Sequence, residues 1–150
     1  WRKNFVGVSY LHPGTNFEFF GAIDDLWLGE DGEYLVVDYK ATAKKDEVNL
    51  DADWQISYKR QMEIYQWLLR KNGLPISNRG WFVYCNGKRD LDRFDNKVEF
   101  RVSLLPYDGN DDWVETALIE AKETLNRGDL PPPDENCDFC TYRQETAVFE

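Results

Sequence analysis

Two aspartates and a lysine are spaced so that they can act together. The stretch Tyr34-Leu35-Val36-Val37-Asp38-Tyr39-Lys40 is rich in β-branched and aromatic residues, the composition of a strand. Successive strand side chains point to opposite faces, so Asp38 and Lys40 project from the same side as Tyr34 and Val36. Asp24 stands 14 residues earlier in a second apolar stretch. If the turn between them closes with Leu28 facing Tyr34, Asp24 falls opposite Asp38. Two carboxylates then converge beside an ammonium. Like charges that close are unfavourable unless one is protonated or a cation joins them. A hard divalent ion, held by oxygen ligands and water, resolves the conflict. It activates a water as nucleophile and stabilises charge on a phosphoryl oxygen, and a lysine beside it positions that water or stabilises the transition state. The chemistry indicated is metal-dependent phosphodiester hydrolysis. A plainer reading leaves Asp24, Asp25 and Asp38 as solvated strand ends with Lys40 as an ion-pair partner, and a lone D-x-K tripeptide does not decide between the two.

The elements that must position these residues follow from pattern. Residues 5–11 read as a strand, His12-Pro13-Gly14-Thr15 as a turn, and 16–28 as a second strand. Gly29-Glu30-Asp31-Gly32 is a further turn, and 33–41 is the third strand. After a polar loop over 42–52, Trp54, Tyr58, Met62, Tyr65 and Leu69 recur at helical spacing behind a candidate cap at Asp53, with Gly73 and Pro75 as stop signals. Residues 79–85 and 98–105 read as strands. A second helix spans about 111–127, its apolar face formed by Val114, Ala117, Leu118, Ala121 and Leu125. Pro131-Pro132-Pro133 stops regular structure and leaves a short polar end. The order β-β-β-α-β-β-α predicts a single mixed α/β domain over 1–150 with helices packed on a sheet. The six tryptophans and eight tyrosines could offer base-stacking surfaces, yet Trp54, Trp81 and Trp113 fall at core-facing positions and are assigned to the core.

Composition sets the bounds. The 150 residues are 42% hydrophobic and 15% aromatic, enough for a core, and no apolar run reaches the length of a membrane span. The net charge of -10 is uneven: residues 1–107 hold 16 acidic and 15 basic side chains, residues 108–150 hold 12 and 3. Charges beyond about 8 Å are screened at physiological salt, so a polyanionic substrate near the basic stretch 40–71 is not excluded. Lys44, Lys45, Lys59 and Arg60 flank the site and are candidates for phosphate contacts, although surface solubility explains them almost as well. The three cysteines, Cys85, Cys137 and Cys140, are a poor disulfide framework and point to a reducing, cytoplasmic setting.

Gly21-Ala22-Ile23-Asp24, Val36-Val37-Asp38-Tyr39-Lys40 and Gln61-Met62-Glu63-Ile64-Tyr65 together resemble the G-x-I-D, V-D-Y-K and Q-x-x-x-Y series of the PD-(D/E)xK nuclease superfamily. The branch they look most like is that of RecB-type nuclease domains and the CRISPR-associated and phage exonucleases. The resemblance implies a restriction-endonuclease-like core, a mixed β-sheet flanked by helices. It implies a deoxyribonuclease, exonuclease ahead of endonuclease, acting on DNA in repair, recombination or phage- and CRISPR-related processing, with Mg²⁺ or Mn²⁺ as cofactor. Asp24 and Asp38 would be metal ligands together with the backbone carbonyl of Tyr39. Lys40 would be the catalytic lysine, and Gln61 and Tyr65, one turn apart on a helix face, would shape the site and hold substrate.

The sequence also departs from the family. The family's upstream helix with a metal-binding Glu or His is not found before residue 17, and the chain begins too late to hold it. His12, the only histidine, could stand in as a metal ligand, but it precedes Pro13-Gly14 and reads rather as a surface turn residue. Several relatives hold an iron–sulfur cluster through C-x-x-C-x₅-C. Here Cys137 and Cys140 supply the pair, but Thr146 stands at the third position, so no cluster is expected. The rival to a nuclease is a non-catalytic module of the same fold, a DNA-binding or protein-interaction part of a larger repair complex.

Overall fold

The computed structural model describes residues 7–90, 93 and 96–147. Turn chemistry folds its first part into two antiparallel hairpins. β1 (Val8–His12) pairs with β2 (Phe17–Gly21), and β3 (Asp25–Leu28) pairs with β4 (Tyr34–Thr42). The first turn closes with the Asn16 N–H on the His12 carbonyl at 2.8 Å, Asn16 taking φ 58°, a left-handed conformation that asparagine tolerates. The second closes with the Gly29 N–H on the Glu33 carbonyl at 2.8 Å, and Gly32 sits at φ 83°, where glycine is unstrained. Leu28 faces Tyr34, as the turn length suggests.

The expected strand over 16–28 is in fact two. The backbone breaks at 22–24, and β2 and β3 belong to different sheets. Ile23, fully buried at the break, anchors the chain where it changes sheet. The apolar stretch is interrupted in the sequence only by Asp24-Asp25, and two polar residues in a row do not by themselves say that the chain changes sheet.

β5 (Arg79–Gly87) lies parallel to β4, and β6 (Phe100–Asp108) lies antiparallel to β5, giving a four-stranded mixed sheet in the order β3-β4-β5-β6. Parallel neighbours need a crossover connection. A 3₁₀ turn over Asp53–Gln55 and α1 (Ile56–Lys71) supply it. Asp53 is not the cap: Ala52 holds that position, and the Gln55 side chain accepts its N–H at 2.9 Å. Gln55 is fully buried and donates to the Asn49 carbonyl (2.6 Å) and to Tyr84 Oη (3.2 Å), which ties the preceding loop to β5.

Helix α1 is buried on two sides. Met62 and Leu69 join Ile23, Val36, Ile76, Phe82 and Tyr84 in one core against the sheet. Trp67 and Leu68 join Val114 and Leu118 of α2 (Asp112–Asn126), with Tyr10, Phe17 and Phe19 of the first hairpin packed alongside. The expected apolar face of α2 is therefore covered only in its first half, and Ala121 and Leu125 are exposed. None of the three tryptophans assigned to the core is fully buried. Trp81 is half-buried, Trp113 sits at the surface edge, and Trp54 is 53% exposed. Helical period identifies a side of α1, but it does not say where along the helix the neighbours end.

His12 is the last residue of β1 and is buried, not a surface turn residue. Its Nδ1 lies 2.9 Å from Thr15 Oγ1 and its Nε2 2.8 Å from Glu115 Oε2. Glu115 also accepts from Trp67 Nε1 at 3.3 Å and pairs with Lys71. The expected polar end contains a short helix, α3 (Asp138–Thr146), none of whose residues is buried. Among the described residues no helix is long and apolar enough to cross a membrane.

Glu63 stitches α1 to the far edge of the sheet. Its buried carboxylate accepts from Tyr107 Oη at 2.6 Å, the Asn110 N–H at 3.2 Å and Trp113 Nε1 at 2.7 Å. Burial, and then this carboxylate, push the Tyr107 phenol well above its ordinary range. Removing an acceptor shared by three donors leaves them competing for water, so we predict that Glu63→Ala lowers stability by about 3 kcal/mol, with Glu63→Gln losing less. Urea unfolding checks this, and an unchanged midpoint for Glu63→Ala would show that the three donors are rehydrated at no penalty.

Candidate active site

Strand β4 carries a carboxylate into apolar surroundings. Asp38 follows Val36 and Val37, both fully buried, and is itself only 3% exposed. Lys40 Nζ lies 2.6 Å from Asp38 Oδ2, off the line a hydrogen bond needs, so this buried oxygen has an ionic neighbour but no aligned donor. Burial pushes the Asp38 carboxyl above the usual carboxylate range, Lys40 pulls it back, and the charge of Asp24 adds to the rise. The carboxylate is thus buried, paired with one ammonium and placed near a second carboxylate.

Asp24 reaches it from the break between the two sheets. The β3–β4 ladder ends with Asp25 opposite Val37, and the Asp24 side chain takes over from there. Its Oδ2 accepts the Tyr39 N–H at 3.0 Å. Tyr39 contributes its backbone on this side. Its ring lies on the opposite face, where Oη donates to Asp25 Oδ2 at 3.0 Å.

The lysine is held from α1. Its Nζ donates to Gln61 Oε1 at 3.0 Å, and Gln61 Nε2 donates to Tyr65 Oη at 2.9 Å. The ammonium also lies 4.3 Å from the centroid of the Tyr58 ring, a favourable cation–π placement. Gly21 completes the support by lacking a side chain. A Cβ there would stand 2.9 Å from Tyr65 Cε1, so only glycine lets β2 approach the ring.

Asp24, Asp38, Lys40, Gln61 and Tyr65 therefore meet. The candidate phosphate contacts divide. Lys44 and Lys45 line a groove just beyond the end of β4, whereas Lys59 lies over the Tyr107 ring and Arg60 over Trp113, near the Glu63 cluster. Tyr58 was missed, although it sits three residues before Gln61 on the same helix face and that spacing marks it. The groove's Asn86, Arg89 and Arg101 come from distant segments, and no sequence signal joins them to Lys44.

Cys137 and Cys140 form a separate local unit on α3. Cys137 precedes the helix, and its Sγ accepts the Cys140 N–H at 3.3 Å. Hydrogen bonds from Cys140, side chain first and then backbone, lower the Cys137 thiol, while the same contact raises Cys140. Cys85 lies on β5. The thiolate is the reactive form, so iodoacetamide at pH 7.5 is expected to label Cys137 ahead of Cys140. Peptide mass mapping reads the order, and faster labelling of Cys140 would overturn the assignment.

The family model of the PD-(D/E)XK nuclease superfamily matches residues 3–144. The chain belongs to that superfamily, and its mixed sheet flanked by helices is the restriction-endonuclease-like fold. No curated protein and no solved structure matches it. Members of the superfamily are generally nucleases that use divalent metal ions, and the residues here fit such an ion. Asp38 offers a buried oxygen without an aligned donor, and Asp24 brings a second carboxylate to it. Among the described residues no cluster of three or more His, Cys, Asp or Glu forms a metal site. Mg²⁺ is satisfied by one or two carboxylates, with water and substrate phosphate completing its shell.

Proposed function

We propose that this domain hydrolyses phosphodiester bonds in DNA with Mg²⁺ or Mn²⁺, leaving a 5′-phosphate and a 3′-hydroxyl, in repair, recombination or the processing of phage and CRISPR-related DNA. Exonuclease action is the favoured mode. The observation that carries the reading is the buried Asp38 oxygen, which lacks an aligned donor and has a second carboxylate near it, beside an ammonium that Gln61 and the Tyr58 ring hold in place.

Asp24 and Asp38 would hold the cation, with the Tyr39 carbonyl as a further ligand. When bound, the ion supplies an acidified water and counter-charge for a phosphoryl oxygen. Lys40 orients the attacking water and stabilises the negative charge that grows on the phosphoryl oxygens. Gln61 fixes where that ammonium points, because its amide oxygen takes the lysine while its amide nitrogen is committed to Tyr65. The Tyr58 ring closes the remaining side of the lysine.

The second reading, a non-catalytic DNA-binding or protein-interaction module of a repair complex, draws on the acidic stretch after residue 107. Calorimetric titration with Mn²⁺ separates the two. Heat of binding lost in Asp38→Asn supports the nuclease, and no heat in the unmodified protein supports the module. For cleavage, we predict that the unmodified protein cuts DNA only with Mg²⁺ or Mn²⁺ present. Asp38→Asn and Lys40→Met should each lower the rate by about 10²–10³-fold or more. A gel assay on labelled DNA reads this, and rates unchanged by either substitution would remove the assigned roles.

A further inference from the structure

Trp54 is the aromatic residue that helical period assigns to the core and the structure leaves 53% exposed. A single exposed aromatic is ordinary, but this one is fixed in place. Its ring packs edge-to-face on Tyr58, centroids 5.3 Å apart and planes at 84°. Lys44 Nζ stands 5.2 Å from the Trp54 ring. Tyr58 is also the ring beneath Lys40. The side chains Lys40, Tyr58, Trp54 and Lys44 thus form a continuous series leading from the candidate active site to the basic groove.

That groove encloses about 540 Å³ at the ends of β4 and β5, where, among the described residues, Lys44, Lys45, Lys88, Arg89 and Arg101 face one lining acid, Asp90. Glu99 neutralises Lys88 at 2.6 Å. Among the described residues the other four cations have no carboxylate partner. The groove wall is preorganised: Asn86 accepts the Lys44 N–H at 2.8 Å and donates to the Lys44 carbonyl at 3.1 Å, and Arg89 donates to the Ala43 carbonyl at 3.3 Å. This local excess of positive charge lies within a strongly acidic protein.

We infer that Trp54 and this groove form a binding site for single-stranded DNA, with one base stacked on the indole and the adjoining phosphates held by Lys44, Lys45, Arg89 and Arg101. An exposed indole takes a base only when that base is out of its duplex stack, and such stacking is sequence-tolerant. The lysines and arginines contact the backbone and read no sequence. The inference rests on the nuclease reading for its substrate and adds the strand that the site accepts.

The test uses the whole chain carrying Asp38→Asn, in buffer with chelator so that no cleavage intervenes. Fluorescence anisotropy compares a labelled oligothymidine with the same strand annealed to oligoadenine. The single strand is expected to bind at least about tenfold tighter. Adding Trp54→Ala should weaken that binding by about 5- to 150-fold, with Trp54→Phe retaining most of it. Lys44→Gln with Arg101→Gln should reduce the salt slope by about 0.7 per lost contact. Equal affinity for both DNAs together with an unaffected Trp54→Ala variant would overturn the stacking site, and an unchanged salt slope would overturn the groove. Cleavage by the unmodified protein, measured in parallel, keeps the two readings apart. Cutting without strand preference defeats only this inference. Strand binding without any cutting defeats only the nuclease.

Discussion

Helix α1 has to satisfy two cores at once, and most of the structure follows from that demand. Met62 and Leu69 belong to the packing against the four-stranded sheet, while Trp67 and Leu68 belong to the packing against the first hairpin and α2. A helix buried on both sides cannot slide or rotate to suit one neighbour without opening a void against the other, and interiors tolerate voids poorly. Its orientation is therefore set by packing, and the polar residues between the two apolar sides are carried to fixed places. Gln61 and Tyr65 are delivered to Lys40, and Glu63 is delivered to Tyr107, Asn110 and Trp113.

Strand β4 supplies the complementary constraint. It is paired on both sides at the fully buried Val37, but β3 stops at Asp25 while β4 runs on to Thr42. Asp38 and Lys40 lie where one neighbour has ended and the other continues. The Asp24 carboxylate fills the vacated hydrogen-bonding position on the Tyr39 N–H. A strand end used in this way gives a site that is walled by sheet and helix yet open at its rim.

Much of this was legible in the sequence, and the failures have physical causes. The register of β3 on β4 and the meeting of Asp24, Asp38 and Lys40 follow from turn length and strand alternation, and the helix after them follows from its apolar period, all of which are local properties. The split of 16–28 between two sheets is hard to read because both pieces are apolar and β-forming, and the Asp24-Asp25 pair that interrupts them fits a strand end as well as a change of sheet. His12 was read from the Pro-Gly after it, whereas its place is set by Glu115, more than one hundred residues away. Trp54 has the right period for the core but lies beyond the end of its neighbours. Asn86 and Arg89 gather beside Lys44 because β4 and β5 run in the same direction, Arg101 joins them through the antiparallel pairing of β6 with β5, and a pairing between distant strands leaves no trace in local spacing.

The parallel pairing of β4 with β5 also bears on the order in which the site matures. Asp24 and Asp38 come from one short-range hairpin, which forms within microseconds, whereas Gln61 and Tyr65 arrive only when the crossover helix docks, and long-range closure is slower. The acidic pair therefore needs only closure between near neighbours in sequence, whereas seating the ammonium also needs the crossover. The attraction for a cation is written into one hairpin, and the direction of an attack depends on the whole fold.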